Sequence, residues 1–142
     1  MAGSPSISGD GLELYFGAYH FGDEPQSQLY VVKRETRDAP WGEPGSLGPM
    51  VNSWSCQAMP TLSHDGLLLL FNDWFVGPSR PEGFGNEDIY FTQRATKDSN
   101  WSEPVNLGSL INTKGIERCG APSADGSTFY FSSDRPGGQL HI

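Results

Sequence analysis

Short apolar segments separated by turn-forming residues run along the whole chain. They are rich in Leu, Val, Ile, Tyr and Phe and only a few residues long, so they predict β-strands and not helices. Three of them follow directly on an Asp-Gly pair and end in Phe, at residues 12–16, 67–71 and 127–131. Three more come after a loop, at residues 28–32, 88–92 and 139–142. The pattern therefore predicts an all-β chain.

Each Asp-Gly pair lies in a Ser-x-Asp-Gly turn, at residues 8–11, 63–66 and 123–126. Asp-Gly between apolar segments is a strong hairpin signal, because a type I′ turn needs positive φ at both central residues. We therefore predict units of four strands. Strand A precedes the turn, strand B follows it, strand C is the second apolar segment, and strand D lies around residues 47–52 and 107–112.

A longer motif recurs in the same units. Residues 34–48 and 94–108 agree at eight of fifteen positions, in the pattern R-x-T-x-D-x-x-W-x-E-P-x-x-L-G. Trp41 precedes Asp65 of the next turn by the same interval as Trp101 precedes Asp125. The second interval between Asp-Gly turns is five positions longer than the first, and the extra residues fall between Phe71 and Tyr90. The spacing indicates an internal repeat.

These stretches resemble a known family of repeats. The patterns S-x-D-G-x-x-x-Y-F and D-I-Y-F-T-x-R are similar to the TolB-type, WD40-like β-propeller repeat. The W-x-E-P-x-x-L-G part resembles a variant found in bacterial propeller proteins of unknown role. The resemblance implies one segment of antiparallel four-stranded blades over residues 1–142, with blade 1 at about 5–55, blade 2 at about 56–115 and a partial blade 3 at about 116–142.

About two and three-quarter blades are too few for a closed ring, which takes four to eight blades. We therefore expect the ring to be completed by association of identical chains, with a six-bladed homodimer as the simplest case. The alternative is that a longer chain supplies the missing blades. In the first case strand C of blade 3 needs a fourth strand from a partner, or a covered edge.

Composition and charge limit the partners of the chain. A formal net charge of −8 argues against nucleic acid, because phosphate binding needs a basic surface. No apolar run approaches the length of about 18 residues that spans a bilayer, and no secretion signal is visible at the start. The expected compartment is the cytoplasm, or the protein is a mature secreted or periplasmic form.

Residues that recur in the repeat are expected to be structural. Trp41 and Trp101 are predicted to pack between neighbouring blades, because each has a large apolar area to bury. Asp38 and Asp98 are predicted to hold the loop between strands C and D through hydrogen bonds or ion pairs, and structural roles are likewise assigned to Glu43 and Glu103. One Asp per turn does not supply the six to eight oxygens that Ca²⁺ takes, so no metal and no cofactor are predicted.

Function is expected where the repeats differ. The predicted B–C loops (17–27, 72–87 and 132–138) and D–A links (53–59 and 113–120) vary in length and content and open on one face. Variable loops on a rigid scaffold are where binding residues are normally found. Aromatic, charged and His side chains on this face suit a carbohydrate or peptide ligand, and the candidates are Tyr19, His20, Trp54, Asp73, Trp74, Arg80, Glu117, Arg118, Asp134 and Arg135.

Three functions remain open. The first is a non-catalytic binding or assembly module that uses the variable face. The second is a glycan hydrolase or lyase whose acid and base come from Asp73, Glu117, Asp134 and His20. The third is a structural fragment of a larger propeller. A disulfide between Cys56 and Cys119 is also left open, although the two lie three positions apart in the repeat register.

Overall fold

The computed structural model describes residues 2–20, 26–53, 56–73, 80, 82–123 and 125–135. For His20 and Gln26 the description covers the backbone only. These residues form ten β-strands in three antiparallel sheets and contain no helix, which confirms the predicted all-β class. It follows that no helix in the described ranges is long and apolar enough to span a membrane.

The first sheet has its four strands in chain order. The strands are β1 (Ala2–Ile7), β2 (Glu13–His20), β3 (Gln26–Lys33) and β4 (Gly45–Ser46). The second sheet has the same order, and its strands are β5 (Gln57–Leu62), β6 (Leu68–Asp73), β7 (Asp88–Gln93) and β8 (Val105–Asn106). The third sheet pairs β9 (Glu117–Pro122) with β10 (Phe129–Ser133). The strand predicted at 139–142 lies outside the described residues.

The fourth strand of each sheet is shorter and earlier than predicted. It spans only Gly45–Ser46 or Val105–Asn106, and the chain then turns at a glycine of positive φ, 84° at Gly48 and 76° at Gly108. Residues 47–52 and 107–112 were therefore wrongly predicted as strands. The reason is that the left-handed glycine leads the backbone into a turn, closed by the amide of Asn52 donating to the carbonyl of Gly48 at 2.9 Å.

The Asp-Gly turns form at the predicted residues, but they are not of the predicted type. Within each Asp-Gly pair only the glycine has positive φ, 75° at Gly11, 76° at Gly66 and 71° at Gly126, so the pair does not form a type I′ turn. The cause is the Asp carboxylate, as the first turn illustrates. Asp10 Oδ1 accepts hydrogen bonds from Ser8 Oγ at 2.6 Å and from the amide of Leu12 at 3.0 Å. This side-chain ring holds the Asp in an ordinary backbone conformation.

The hydrophobic core lies between the first and second sheets. Buried side chains from both sides form one cluster, and Val31, Leu47 and Trp101 pack against it. Trp101, in the loop after β7, places its ring edge-on to that of Tyr15 in β2, with 6.1 Å between centroids. The predicted packing of Trp101 between neighbouring units is therefore confirmed. Trp41 is half-buried, and the guanidinium of Arg34 lies 4.3 Å above its ring.

The loop between strands C and D is held by arginine and not by aspartate. Arg94 donates from Nε to the carbonyl of Gly66 and from Nη1 to the carbonyl of Lys97, both at 2.8 Å. Arg34 makes the same two contacts in the first sheet, with the carbonyls of Gly11 and Arg37.

The role predicted for the acidic residues of this loop was wrong. Asp38 and Asp98 are exposed and make no hydrogen bond or ion pair within the described part of the chain. Glu43 and Glu103 are also exposed. The preceding Arg already satisfies the loop carbonyls, and a guanidinium reaches several of them at once. The carboxylates of the motif therefore remain in solvent.

Candidate functional site

The strands extend further into the variable face than predicted. β2 and β3 stay paired up to Tyr19 with Ser27 and His20 with Gln26, so most of the predicted loop 17–27 is sheet. Likewise β5 begins at Gln57 and β9 at Glu117, inside the predicted D–A links. Most candidate side chains that the structure describes therefore lie on strand ends. Trp54 and Trp74, and the side chain of His20, lie outside the described residues.

At this edge, one pair of facing residues carries different side chains in each of the three sheets. The pair is Ala2 with Ala18 in the first sheet, Gln57 with Asp73 in the second and Glu117 with Ser133 in the third. The backbone register is the same, but the chemistry changes from apolar to amide–carboxylate to carboxylate–hydroxyl. The polar character of this edge is thus concentrated in the second and third sheets.

Asp73 forms a buried ion pair. Its Oδ2 lies 2.9 Å from Nε of Arg80, and both side chains are only 6 % exposed. Gln57 Nε2 donates to Asp73 Oδ1 at 3.4 Å. Burial raises the pKa of Asp73 to about 6, against the opposing attraction of the Arg80 guanidinium. The surroundings of Asp73 therefore bring its titration towards neutral pH.

Arg80 and Arg135 make the same contact, which the sequence analysis did not anticipate. Arg80 Nη2 donates to the carbonyl of Val51 at 2.8 Å, and Arg135 Nη2 donates to the carbonyl of Ile111 at 2.5 Å. The two acceptors occupy the same place in the first and second sheets, in the turn that follows the last glycine of the repeated motif. Each Arg therefore ties one sheet to the sheet before it.

The aromatic contacts of these two arginines also correspond. Arg80 lies over the ring of Phe71 at 5.6 Å, and Arg135 lies over the ring of Phe131 at 5.3 Å. A signal for this equivalence is present in the sequence, since residues 80–83 and 135–138 both read R-P-x-G. The inserted residues hide this equivalence, because Arg80 lies five positions further from the Phe of its unit than Arg135 does.

Glu117 forms hydrogen bonds with the link before β9 and with β10. It is 0 % exposed, and its carboxylate accepts hydrogen bonds from the amide and hydroxyl of Thr113 at 2.7 and 2.8 Å. Ser133 Oγ donates to it at 2.6 Å. Asp134 is exposed, but its Oδ1 accepts a hydrogen bond from the amide of Ile116 at 2.6 Å. Both carboxylates therefore fix the link that leads into β9.

Arg118 and Arg135 are the most accessible charged candidates after Asp134 in the described part of the chain. Arg118 Nη2 lies 2.9 Å from Oε1 of Glu87, and the Arg118 side chain is 35 % exposed. Tyr19 lies on the first sheet, where burial raises its pKa and Cys56 adds to the rise. The structure thus brings Asp73 to Arg80, and Glu117 to Arg135 at 3.8 Å, as ion pairs.

The first strands of the three sheets, β1, β5 and β9, share a strained position. Ser4, Met59 and Cys119 have φ of 52°, 53° and 58°, and each coincides with a register shift in β1, β5 or β9. Such left-handed residues mark β-bulges. Cys119 is exposed with its Sγ 3.4 Å from Met59 Sδ, whereas Cys56 is buried, and neither cysteine is in a disulfide. The disulfide left open from the sequence is therefore not formed.

Comparison with known proteins identifies no relative. No family model, no curated protein and no solved structure matches the chain. Within the described ranges, no group of three or more His, Cys, Asp or Glu side chains is arranged to hold a metal ion. The chemistry of this edge is therefore judged from its own contacts, and these are mostly ties within and between sheets.

Proposed function

We propose that the chain is a non-catalytic binding or assembly module built from β-propeller blades. The observation that carries this is the repetition of one contact between successive sheets. Arg80 binds the carbonyl of Val51 across the first and second sheets, and Arg135 binds that of Ile111 across the second and third. An array in which each unit is tied to the one before it in the same way is what a propeller is made of.

The state of the candidate carboxylates argues against the glycan-active alternative. A glycosidase needs one carboxyl group as acid and a second as nucleophile or base, both facing the substrate. Glu117 is fully buried and accepts bonds from Thr113 and Ser133, and Asp73 is paired with Arg80. Releasing either group would leave buried partners without compensation, which is costly. We therefore assign these carboxylates to the scaffold.

We assign ligand binding to residues that vary between the units and are not part of the scaffold. The shared R-P-x-G register places the five inserted residues between Asp73 and Arg80, where the sequence of 74–79 reads WFVGPS. Apolar and aromatic residues added to one unit alone are not required by the repeat. Together with the accessible Arg118, this segment suits a carbohydrate or peptide ligand.

Three measurements test the proposal. Light scattering on a sizing column should give a single species at two or three times the mass of the 142-residue chain, and small-angle scattering should fit a ring. A panel of glycan substrates should show no turnover. Turnover that Asp73→Asn abolishes while the folded state is retained would establish the hydrolase instead. A monomer would leave the assembly role without support.

A further inference from the structure

A cleft of about 540 Å³ lies between the first sheet and the loop that follows β7. One wall comes from β2, β3, β4 and the turn after β4, and the other comes from residues 94 and 97–101. Lys33, which lines the cleft at the end of β3, faces Glu13 at the start of β2. The cleft is therefore at the opposite end of these strands from the variable face, and its volume is that of a small-molecule site.

The floor of the cleft is apolar and held in place by the core. Val31, Leu47 and Trp101 pack against the core cluster to which Tyr15 belongs. At the rim, the side chain of Met50 is 52 % exposed. A ligand with an apolar face would cover aromatic and aliphatic surface whose conformation is already fixed, and this reduces the entropic cost of binding.

The cations that line the cleft have acidic partners. Lys33 Nζ lies 2.7 Å from Oε1 of Glu13, and Arg94 Nη2 lies 2.5 Å from Oε2 of the same carboxylate. Lys97 forms an ion pair with Asp10. The lysine side chains are 54 % and 39 % exposed, and each ammonium has three N–H groups. The lysines can therefore donate further hydrogen bonds to a ligand, although their charge is already compensated.

The loop side of the cleft supplies a carboxylate acceptor. Asp98 lines the cleft and is exposed, and it makes no hydrogen bond or ion pair with the rest of the described residues. Asn100 beside it has both a donor and an acceptor, and Ser46 and Ser99 add hydroxyl groups. The rim thus offers donors and acceptors together. A ligand that matches this rim has groups that both donate and accept.

The polar side chains of the first sheet at this cleft are not part of the repeat. Three positions carry polar or charged side chains in the first sheet, whereas the second sheet has leucine or an uncharged amide there. The pairs are Glu13 and Leu68, Tyr15 and Leu70, and Lys33 and Gln93. The fold is therefore compatible with less polar side chains at these places.

The loop wall differs from the repeat in the same direction. Ser99 and Asn100 stand where the first copy of the motif has Ala39 and Pro40. Both walls of the cleft have thus gained hydrogen-bonding groups that the other copy of the motif lacks. Variable positions on a rigid scaffold are where binding residues are normally found.

We propose that this cleft binds a neutral saccharide. A sugar ring has an apolar face of C–H groups that fits the wall of Tyr15 and Trp101, and its hydroxyl groups donate to Asp98 and accept from Lys33 and Asn100. An anion fits less well, because it would be repelled by Asp98 and the lysines are already paired. The site is separate from the variable face, so it does not depend on the ligand assigned there.

The test is an NMR titration of the isotope-labelled 142-residue chain with linear tetrasaccharides of glucose, galactose, mannose and N-acetylglucosamine. At least one of them should shift the amide signals of residues 97–101 and the indole N–H of Trp101. The signals of residues 37–41, in the first copy of the motif, should stay in place. Binding of the tetrasaccharide alone would assign a free oligosaccharide, and equal binding of the soluble polymer would assign a polysaccharide chain. Either result supports the proposal.

Single-site variants locate the bound saccharide. Asp98→Ala should weaken binding at least about 10-fold, because hydroxyl groups of the ligand lose a charged acceptor. Lys33→Gln, which introduces the residue of the second sheet, and Asn100→Ala should also weaken it. All three side chains are exposed, so the fold should be retained. Asp38→Ala is the matched control, since Asp38 is the exposed equivalent of Asp98 in the first copy of the motif, and it should change nothing.

Three results would overturn the proposal. The first is that none of the neutral saccharides shifts these signals up to millimolar concentration. The second is binding that all of the cleft variants leave unchanged, which would mean that the saccharide binds at another surface. The third is tighter binding of tetragalacturonate than of any neutral saccharide, which would identify a site for anions. The mass of the protein in solution is a separate measurement, so the assembly role would stand or fall independently.

Discussion

The amide side chains of Asn52 and Asn112 take the place of backbone in the fourth strand of their sheets. Asn112 Oδ1 accepts from the amide of Ile89 and its Nδ2 donates to the carbonyl of the same residue, both at 2.9 Å. Asn52 does the same with Leu29 at 2.8 and 2.9 Å. A side-chain amide has the donor and acceptor of a peptide group, so it continues the sheet after the chain has turned away.

Removing one amide should therefore destabilise the fold in proportion to its burial. Asn112 is 1 % exposed, so Asn112→Ala leaves the amide of Ile89 without a partner, although the carbonyl of Ile89 still accepts from the amide of Leu107 at 3.2 Å. The substitution should lower the free energy of unfolding by about 2 kcal/mol. Asn52 is half-exposed, and water replaces part of its bonding, so Asn52→Ala should cost about 1 kcal/mol. Urea denaturation of the two variants measures this difference. Equal losses would mean that the amide is not the element that pairs with strand C.

Asp73 should give the stability of the protein a distinctive pH dependence. Its pKa rises from 3.8 to about 6 on folding because it is buried, so the folded state favours the protonated form. A group with a raised carboxyl pKa stabilises the fold below that pKa, and its ionisation opposes folding as the pH increases from about 4 to above 6. The full effect corresponds to about 3 kcal/mol.

The variant Asp73→Asn isolates this contribution, since other carboxylates such as Asp65 have lowered pKa values and act in the opposite direction. As the pH falls from 7 to 4, the stability difference should shift in favour of the wild type by up to about 3 kcal/mol. Denaturant midpoints of both proteins across this range provide the measurement. A difference that is independent of pH would show that Asp73 titrates normally.

At the scale of single elements, the first strands of the three sheets, β1, β5 and β9, share one irregularity. Each contains a residue other than glycine in the left-handed region, Ser4, Met59 or Cys119, at a break in pairing with the next strand. For residues with a Cβ this conformation costs about 1–2 kcal/mol. The bulge bends the strand, and its occurrence at the same place in three sheets makes it part of the scaffold.

Replacing such a left-handed residue with glycine should leave the stability of the protein unchanged or increase it. Cys119→Gly removes the Cβ strain at an exposed residue and should stabilise the protein by about 0.5 kcal/mol after the entropy of glycine is subtracted. The matched control is Ala121→Gly in the same strand, where φ is negative and the change should cost about 1 kcal/mol. Thermal unfolding distinguishes them, and a loss of stability in both would argue against strain at Cys119.

The strands and turns also show which parts of the fold can be predicted from the sequence. The Asp-Gly turns and the B and C strands of the first two units were predicted from apolar segments, because their side chains fill the core between sheets. Strand D was predicted at the wrong residues, because a strand of two residues is too short to show a pattern of apolar and polar side chains. The tie made by Arg80 and Arg135 was missed because a five-residue insertion separates Arg80 from β6. The ion pairs at the variable edge depend on which strands lie side by side, and a single sequence does not show this.

At the scale of the molecule, a few contacts join the first sheet to the second. Trp101 packs on Tyr15, Arg94 pairs with Glu13, and Arg80 binds the carbonyl of Val51. Burial opposes the charged form of Glu13, but Arg94 and Lys33 outweigh it and lower its pKa. Aromatic packing and buried charge thus act at the same interface.

The two tryptophans of the repeated motif give a direct test of this picture. Trp101→Ala opens a cavity beside Tyr15 and exposes Arg94, so it should lower the free energy of unfolding by about 3 kcal/mol. Trp41→Ala removes the same side chain from the same motif on a flank that no described sheet covers, and in dilute solution it should cost less than about 1 kcal/mol.

Urea denaturation at low and high protein concentration completes this comparison. If copies associate through Trp41, its substitution should become more costly as concentration increases, because binding of the folded state adds to stability. The cost of Trp101→Ala should stay constant, since its contact is within the chain. Equal costs for both variants in dilute solution would mean that Trp41 already has a partner in the single chain. The difference between Trp101, which is packed within the chain, and Trp41, which lies on a flank that no described sheet covers, would then disappear.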